Sequence, residues 1–398
     1  MFNCKDKLKE ILGEGKNILA LSGGVDSISL YHMLKETYEE MEKPLSDLIC
    51  VHYNHNLREE SSTEFTAIEE MVEKDGAVFE GISLDVYSYC SENKLSMETG
   101  ARELRYKGFE MVSKEYDAKN VFLGHHGDDL VETVMMRMVS GSHGRGLVGM
   151  TEKVNHNDVT YLRPLLATTK DDLYVYAKKN NLVYFEDISN KDEAITRNRY
   201  RKNLLPFIKQ EKHNVHETFK VFSEEKEEDE QFFDLFITKF FTENVEKCSL
   251  NGVTALKFNI KEFLNLHISL KKRVFKSMLN AIDEKSLVSQ NRLKEFEGQL
   301  ASKKLVVLNK QVSYYRENTN IGVLISREEF TEHLASFTEN ESDKVKLKGS
   351  LRCKCGGKLE KKYTKYNIEP ALREYSYVEL DNNEVVKVIT PFKEVEII

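Results

Sequence analysis

The sequence predicts an α/β fold: a doubly wound parallel sheet in the first half, then a helical linker, a small mostly helical domain and a small α+β domain at the C-terminal end. Three observations carry this expectation. Short apolar runs take turns with amphipathic stretches up to about Pro206. The apolar runs hardly alternate within themselves, and a glycine turn joins the first run to the first amphipathic stretch.

"NILALS" (17–22), "LICVHYNH" (48–55), "AVFEGISL" (77–84) and "NVFLGH" (120–125) read as strands buried on both faces. Between them "ISLYHMLKETYEEM", "STEFTAIEEMVEKDG" and "GARELRYKGFEMVSKEY" carry apolar residues at helical spacing. Repetition of this kind implies parallel strands, with a ligand at their carboxyl ends. Beyond Pro206, "SEEKEEDEQFFDLFITKFF" (223–241) starts as a charge run and ends amphipathic, as a long helix with one solvated face would. "SLKKRVFKSMLNAI" and "SQNRLKEFEGQLAS" read as helices, followed by the strand-like "KLVVLN" and "VSYYRE". From about Ser326 the strand-like pieces "KVKLKG", "YSYVEL" and "EVVKVIT" leave little else long enough to be a helix. The expected divisions are 1–208, a linker at 209–247, a central domain at 248–325 and a C-terminal domain at 326–398.

With 398 residues and a net charge of −8, the chain is not one that binds nucleic acid over its whole surface. A local exception runs from Lys344 to Lys365, where nine cations face the single acid Glu360. A phosphate backbone is their natural partner, and an ordinary lysine-rich surface is the equal alternative. The six scattered cysteines read as reduced thiols. "MFNCKDKLKEILGEGK" has charges where a signal peptide would be apolar, and no run approaches membrane-spanning length, so a cytoplasmic protein without a membrane partner is expected.

"LALSGGVDSISL" (19–30) is the most informative stretch. Gly23 and Gly24 permit positive φ and close approach of a ligand to backbone amides. The helix that begins at Val25 aims unpaired N–H groups and its positive dipole end at the same spot. With the hydroxyls of Ser22 and Ser27, several such amides can hold a polyphosphate. No lysine follows the glycines, which separates this loop from the G-x-x-x-x-G-K-[ST] type. Asp26 would repel an anion unless a divalent cation stood between them, which points to Mg²⁺ bridging Asp26 and the phosphates. An N-cap serine with a glycine turn is the plainer reading of any lone "SGG"; the six-residue string between strand and helix is more specific.

"SGGVDS" (22–27) resembles the pyrophosphate-binding loop of the N-type ATP pyrophosphatases, whose sheet is of the adenine nucleotide α-hydrolase type. Further segments are similar to one branch, the tRNA(Ile)-lysidine synthetases: "VHYNHNLREES" (51–61), "ETGARELRY" (98–106), "LGHHGDDLVET" (123–133), "RPLL" (163–166), "FEDISNKDEAITRNRYRKNLLP" (185–206) and "YNIEPALREYSYVEL" (366–380). The resemblance is strong to about residue 206, weak through the middle and moderate at the end. It implies ATP and Mg²⁺ as cofactors, free L-lysine and a tRNA(Ile) with a CAU anticodon as partners, and it admits a homodimer. ATP would adenylate the C2 oxygen of the wobble cytidine, and the lysine amine would displace AMP.

The resemblance places Ser22, Gly23, Gly24, Val25, Asp26 and Ser27 at the ATP, with Asp26 as metal ligand, and Asp26, Arg105, His125, Asp129 and Glu132 in catalysis. Asp129 and Glu132, three apart on one helical face, suit a cationic substrate. A lysine amine has a pKa near 10.4, so at pH 7 only about one in 10³ is the neutral nucleophile. Carboxylates beside it favour the charged form, so at least one must accept a proton during attack. Which of Asp129 and Glu132 does so is left open, with His125 nearby. Helix-start capping would by itself account for one of Asp128 and Asp129. Arg105 suits a phosphate or the target nucleotide, or a salt bridge to Glu98 or Glu103. "TRNRYRKN" (196–203) suits an RNA backbone or a basic helix end.

The chain departs from the pattern at Asn56, where the family has glycine, and at "SGSHG" (140–144), where Ser140 and His143 replace an arginine and a glycine. "CKCGG" (353–357) looks like half a zinc site without a second pair, which favours two thiols. Two alternatives remain: a tRNA thiolase of the same group, disfavoured by the lack of a C-x-x-C pair, and a tRNA-binding protein with a spent site, disfavoured by the intact acids.

Overall fold

The computed structural model describes residues 2–54, 60–185, 196–283, 290–302, 305–340 and 344–397, the last apart from positions 349, 355, 364, 367 and 383. Asn56, Cys355 and positions 186–195, "EDISNKDEAI", lie outside the described residues. The chain divides into two compact units, Met1–Glu230 and Gln231–Ile398.

The first unit is built on a sheet ordered β3-β2-β1-β4-β6-β5. Its strands are β1 (Asn17–Ala20), β2 (Leu48–Asn54), β3 (Val78–Ser83), β4 (Asn120–Phe122), β5 (Lys153–His156) and β6 (Val159–Leu162). All pairings are parallel except the β5–β6 hairpin. The helices are α1 (Phe2–Ile11), α2 (Val25–Glu40), α3 (Glu60–Asp75), α4 (Val86–Asn93), α5 (Met97–Tyr116), α6 (Gly127–Val139), α7 (Lys170–Lys179), α8 (Thr196–Arg199), α9 (Leu205–Glu211) and α10 (Val215–Asn244), which continues past Glu230.

The doubly wound fold is visible in which side chains share a core. Leu19, Cys50 and Phe122 face α2 and α7 through Ile28, Leu34 and Leu173. Their neighbours Ile18, Ile49, Val51 and Val121 face the other way, onto Phe109 and Val112 of α5. Strands covered on both faces have no polar side, which is why these runs do not alternate. β3, at the sheet's edge, is only half-buried, contrary to the expectation for "AVFEGISL". β1 pairs with both β2 and β4, so the winding reverses beside it, and the carboxyl ends of β1 and β4 flank the crevice where such sheets take ligands.

The second unit carries two antiparallel sheets. One is ordered β7-β8-β11-β10-β9, from β7 (Val245–Leu250), β8 (Val253–Asn259), β9 (Val306–Val307), β10 (Val312–Arg316) and β11 (Ile321–Ser326). It packs Leu256, Phe258, Tyr314 and Leu324 against Phe263 of α11 (Ile260–Asn265), Phe275 and Met278 of α12 (Ile268–Asn280) and Phe296 of α13 (Gln290–Gln299). The other is ordered β12-β13-β14-β15, from β12 (Val345–Lys346), β13 (Tyr377–Asp381), β14 (Glu384–Ile389) and β15 (Glu394–Glu396). Between the sheets in sequence lies α14 (Arg327–Asn340), which corrects the expectation of no sizeable helix after Ser326. Phe330, Leu334 and Phe337 give it an apolar stripe at i, i+4 and i+7, and Phe330 and Leu334 pack against Ala255, Val323 and Ile325. Among the described residues no helix is long and apolar enough to cross a membrane, and Cys50, Cys90, Cys248 and Cys353 are free thiols.

Candidate active site

Three strand-to-helix turns meet at the carboxyl ends of β1, β4 and β6. In the first, Gly23 has φ +87°, and a Cβ there would lie 2.7 Å from Ile68 Cδ1. Its carbonyl accepts from Phe185 N at 3.0 Å. Gly24 caps α2 with no side-chain hydrogen bond, so the amides of the first turn are left for a ligand. Ser27 is buried, and its Oγ donates to Gly24 O at 3.1 Å and accepts from Ser22 N at 3.2 Å, holding the loop shut. Ser22 is the exposed hydroxyl, while Val25 is buried and offers only its backbone amide. The second turn is pressed against the first: a Cβ on Gly124 would sit 3.2 Å from Ser27 N and 3.3 Å from Asp26 C, so glycine is what lets β4 end there.

Asp26 receives Lys170 Nζ at 2.7 Å on Oδ2, whereas its Oδ1 is buried without a hydrogen-bond partner. His126 Nε2 is 3.8 Å from that Oδ1 and 3.4 Å from Asp129 Oδ2, so one imidazole separates the loop from the acids of α6. His126 also caps α6 in a reciprocal pair: its Nδ1 accepts from Asp129 N, and its own N–H donates to Asp129 Oδ2. Asp128 is buried, with Lys170 N and Lys209 Nζ on Oδ2 at 3.0 and 2.8 Å and no partner on Oδ1.

Glu132 lies in the same cluster with its side chain wholly buried and both oxygens taken. Arg197 Nε donates to Oε2 at 2.9 Å and Arg201 Nε to Oε1 at 2.7 Å. The same two guanidiniums reach Asp129 Oδ1 at 3.4 and 3.0 Å. Burial pushes the Asp129 carboxyl up, but His126, Arg197, His125 and Arg201 outweigh it and bring it down to about 2. Arg197 lies in α8, and Arg201 stands in a π-helical turn, Tyr200–Leu204, a geometry frequent at functional sites. "TRNRYRKN" therefore turns two of its arginines onto carboxylates of its own chain.

His125 follows β4. Arg163 Nε donates to its Nδ1 at 3.3 Å, which leaves the ring proton on Nε2 and makes His125 a neutral donor. Burial pushes its pKa down to about 3 against the pull of Asp129, with Arg163, Arg197 and Arg102 adding to the depression. An unfolded imidazole titrates near 6.5, so the unfolded chain binds the proton first as pH falls. The stability that His125 contributes is whole above about pH 6.5 and drains away toward pH 3, at about 1.4 kcal/mol per pH unit. Between pH 7 and 5 denaturation curves should show a loss of about 2 kcal/mol, and His125→Gln should flatten that slope. Identical slopes in the two proteins would mean that the ring is not held neutral.

Arg105, on α5, lies within electrostatic reach of Arg197 but, among the described residues, makes no hydrogen bond to the acids. It is exposed, its Nε donates to Ala101 O at 3.3 Å, and it has no carboxylate partner among the described residues. Glu103 is engaged by Tyr89 instead. Arg137, a candidate substitute for the arginine missing at Ser140, spends its Nη1 on the carbonyls of Gly146 and Gly149, and Arg145 faces Glu227 at 3.5 Å. The structure thus brings together the loop, Asp26, His125, Asp129 and Glu132, and adds Arg163, Lys170, Arg197, Arg201 and Lys209.

The model of the PP-loop domain, an ATP-binding family, matches residues 2–208. The chain belongs to the PP-loop domain family. Relatives extend the likeness beyond the PP-loop domain itself. The tRNA(Ile)-lysidine synthase of Bacillus licheniformis is 35% identical over 288 residues, 71% of this chain and 59% of that protein. The synthase of Bacillus subtilis is 33% identical over 282 residues, 70% of this chain and 58% of its own length. The matched stretch thus spans less than two thirds of these relatives. Among solved structures, the U34-tRNA thiolase NcsA of Methanococcus maripaludis shares 19% identity over 56% of this chain and 78% of its own, with a TM-score of 0.48, too remote to carry chemistry across.

Asp26 fits the metal expected of a PP-loop. A carboxylate oxygen is a hard ligand, Mg²⁺ is commonly held by one or two carboxylates beside substrate phosphates, and Asp26 Oδ1 is a buried oxygen with nothing bonded to it.

Proposed function

We propose that this protein is a tRNA(Ile)-lysidine synthetase, which ligates lysine to C2 of the wobble cytidine in a CAU anticodon at the expense of ATP. The observation that carries the proposal is the convergence of an uncapped PP-loop with buried acids across one imidazole, supported by relatives of that name. The first turn of α2 holds the phosphates, with Ser22 as its exposed hydroxyl. Asp26 would hold Mg²⁺, which when bound neutralises phosphate charge. Attack by the C2 oxygen on the α-phosphorus forms the C2–O–P bond and releases pyrophosphate. The lysine amine then bonds to C2, AMP leaves with the oxygen, and a proton passes from the nitrogen to a carboxylate.

Asp129 and Glu132 are the carboxylates proposed to take the lysine ammonium and that proton. Both hold Arg197 and Arg201, so a bound ammonium competes with two guanidiniums, and the arginines can close on whichever carboxylate remains charged. His125 Nε2–H is available to donate to the substrate. Arg105, without a carboxylate partner among the described residues, suits the RNA backbone or the target nucleotide. The segments 248–325 and 326–398, joined through the helical linker 209–247, are proposed to position the tRNA in a cytoplasmic enzyme, with homodimerisation as a further proposal.

Incubation of the purified protein with ATP, Mg²⁺, radiolabelled lysine and unmodified tRNA(Ile) bearing CAU should label that RNA and not elongator tRNA(Met). Failure to label the isoleucine tRNA would sink the proposal. In the C-terminal basic stretch, Lys344 and Lys354 face Glu379 and Asp381 at 3.1 and 3.4 Å, whereas Lys361 is exposed beside the half-exposed Lys362. Reversing both, Lys361→Glu with Lys362→Glu, should weaken tRNA binding and lower its salt slope by about 2 in a filter-binding titration. An unchanged slope would remove these lysines from the RNA surface.

A further inference from the structure

The PP-loop lacks a lysine of its own, yet one stands beside it. Lys170 is the first residue of α7, 144 positions downstream of Asp26, and its Nζ meets Asp26 Oδ2 at 2.7 Å. Its backbone is fixed independently of its side chain. Thr169 caps α7 in a reciprocal pair with Asp172, Lys170 N donates to Asp128 Oδ2 at 3.0 Å, and Gly127 N donates to Thr168 O at 2.8 Å. Further along α7, Tyr176 contacts His32 at 2.8 Å and donates to Glu36 at 3.1 Å, both on α2. With Lys170 beside Asp26 and Tyr176 beside His32 and Glu36, the two helices run in the same direction. Their N-termini therefore open toward the same turn.

The geometry points to Lys170 as a phosphate-binding residue of the ATP site, kept in place by Asp26. This rests on the PP-loop reading of that site. An ammonium on a four-carbon stem, fixed at its backbone and about a quarter exposed at its tip, can move a few ångströms without disturbing the fold. Held by Asp26 alone it is an ordinary partly exposed ion pair, which is weak. A polyphosphate offers several anionic oxygens against one carboxylate, and the uncapped N-terminus of α2 holds those oxygens close by. Tyr174, whose ring centroid is 5.6 Å from Nζ, lines the same space. Lys170 thus does from a neighbouring helix what the lysine of the G-x-x-x-x-G-K-[ST] loop does from within its own.

The test uses the intact protein and α,β-methylene-ATP, with neither tRNA nor lysine present. Wild-type protein that fails to bind the analogue would refute the PP-loop reading itself. Given binding by the wild type, Lys170→Gln should raise the dissociation constant about tenfold, while Lys170→Arg, which keeps the charge, should stay within about threefold. Unchanged affinity in Lys170→Gln would overturn the assignment, as would an equal loss in both variants, which marks a structural role. Amine acetylation of the wild type, read by mass spectrometry, gives a second measurement without a substitution. Saturating analogue should protect Lys170 several-fold, and unaltered labelling would overturn the assignment.

Discussion

Asp26→Ala should cut pyrophosphate release from ATP by about 10²–10³-fold, the scale seen when a group stabilising developing charge is removed. The same change should cost less than about 1 kcal/mol of stability, because the pair with Lys170 is partly exposed on both sides. Those two numbers diverge because Asp26 is poorly used by the fold: one of its oxygens is buried with no hydrogen-bond partner. An oxygen kept in that condition gains its bonds only from something the described residues do not supply. A pyrophosphate assay with the full set of substrates, beside a melting curve, reads both effects. Release above one tenth of the wild-type rate would take Asp26 out of the ATP chemistry.

Glu132→Ala should show the opposite balance in stability, with a loss of about 3 kcal/mol by chemical denaturation. Removing one partner of a buried ion pair leaves its counterpart uncompensated and typically costs about 3–5 kcal/mol. The lower end applies because Arg197 and Arg201 are each about one third exposed and recover part of their hydration. Glu132→Gln, which retains an acceptor oxygen, should lose less. A loss under about 1 kcal/mol for alanine would mean that the arginines do not rest on this carboxylate in solution.

Much of the first unit was legible because its structure is written locally. Doubly covered strands are continuous apolar runs, and β1, β2 and β4 lie inside the stretches chosen for that reason. The loop and the "HHGDDLVET" acids were legible because a strand end and a helix start are both sequence-local. Hairpins were missed despite signals. Asn251-Gly252 joins β7 to β8 with φ +50° and +90°, a strong two-residue turn signature, and Asn157 at φ +52° turns β5 into β6. The helix α14 was obscured by strand-like neighbours, although its apolar spacing was present. The partners of the acids were a different matter. Arg197 and Arg201 meet Glu132 across 65 and 69 residues, and Lys170 meets Asp26 across 144. No periodicity encodes a pairing over such separations, so the arginines read as an RNA contact or a basic helix end, and Lys170 went unread.

The wide turn at Tyr200–Leu204 gives this arrangement a peculiar sensitivity to length. A π turn carries one residue more per revolution than an α turn, so it behaves as a spliced-in spacer. Removing a single residue there would let the segment rewind as ordinary helix with the downstream residues kept in phase, whereas adding one would rotate them by about 100°. After such an addition Arg197 would stay over Glu132, while Lys209 would swing away from Asp128. The number of residues in this turn thus matters beside the identity of Arg201, and an insertion here is a change of phase that reaches the acids from outside the motif that contains them.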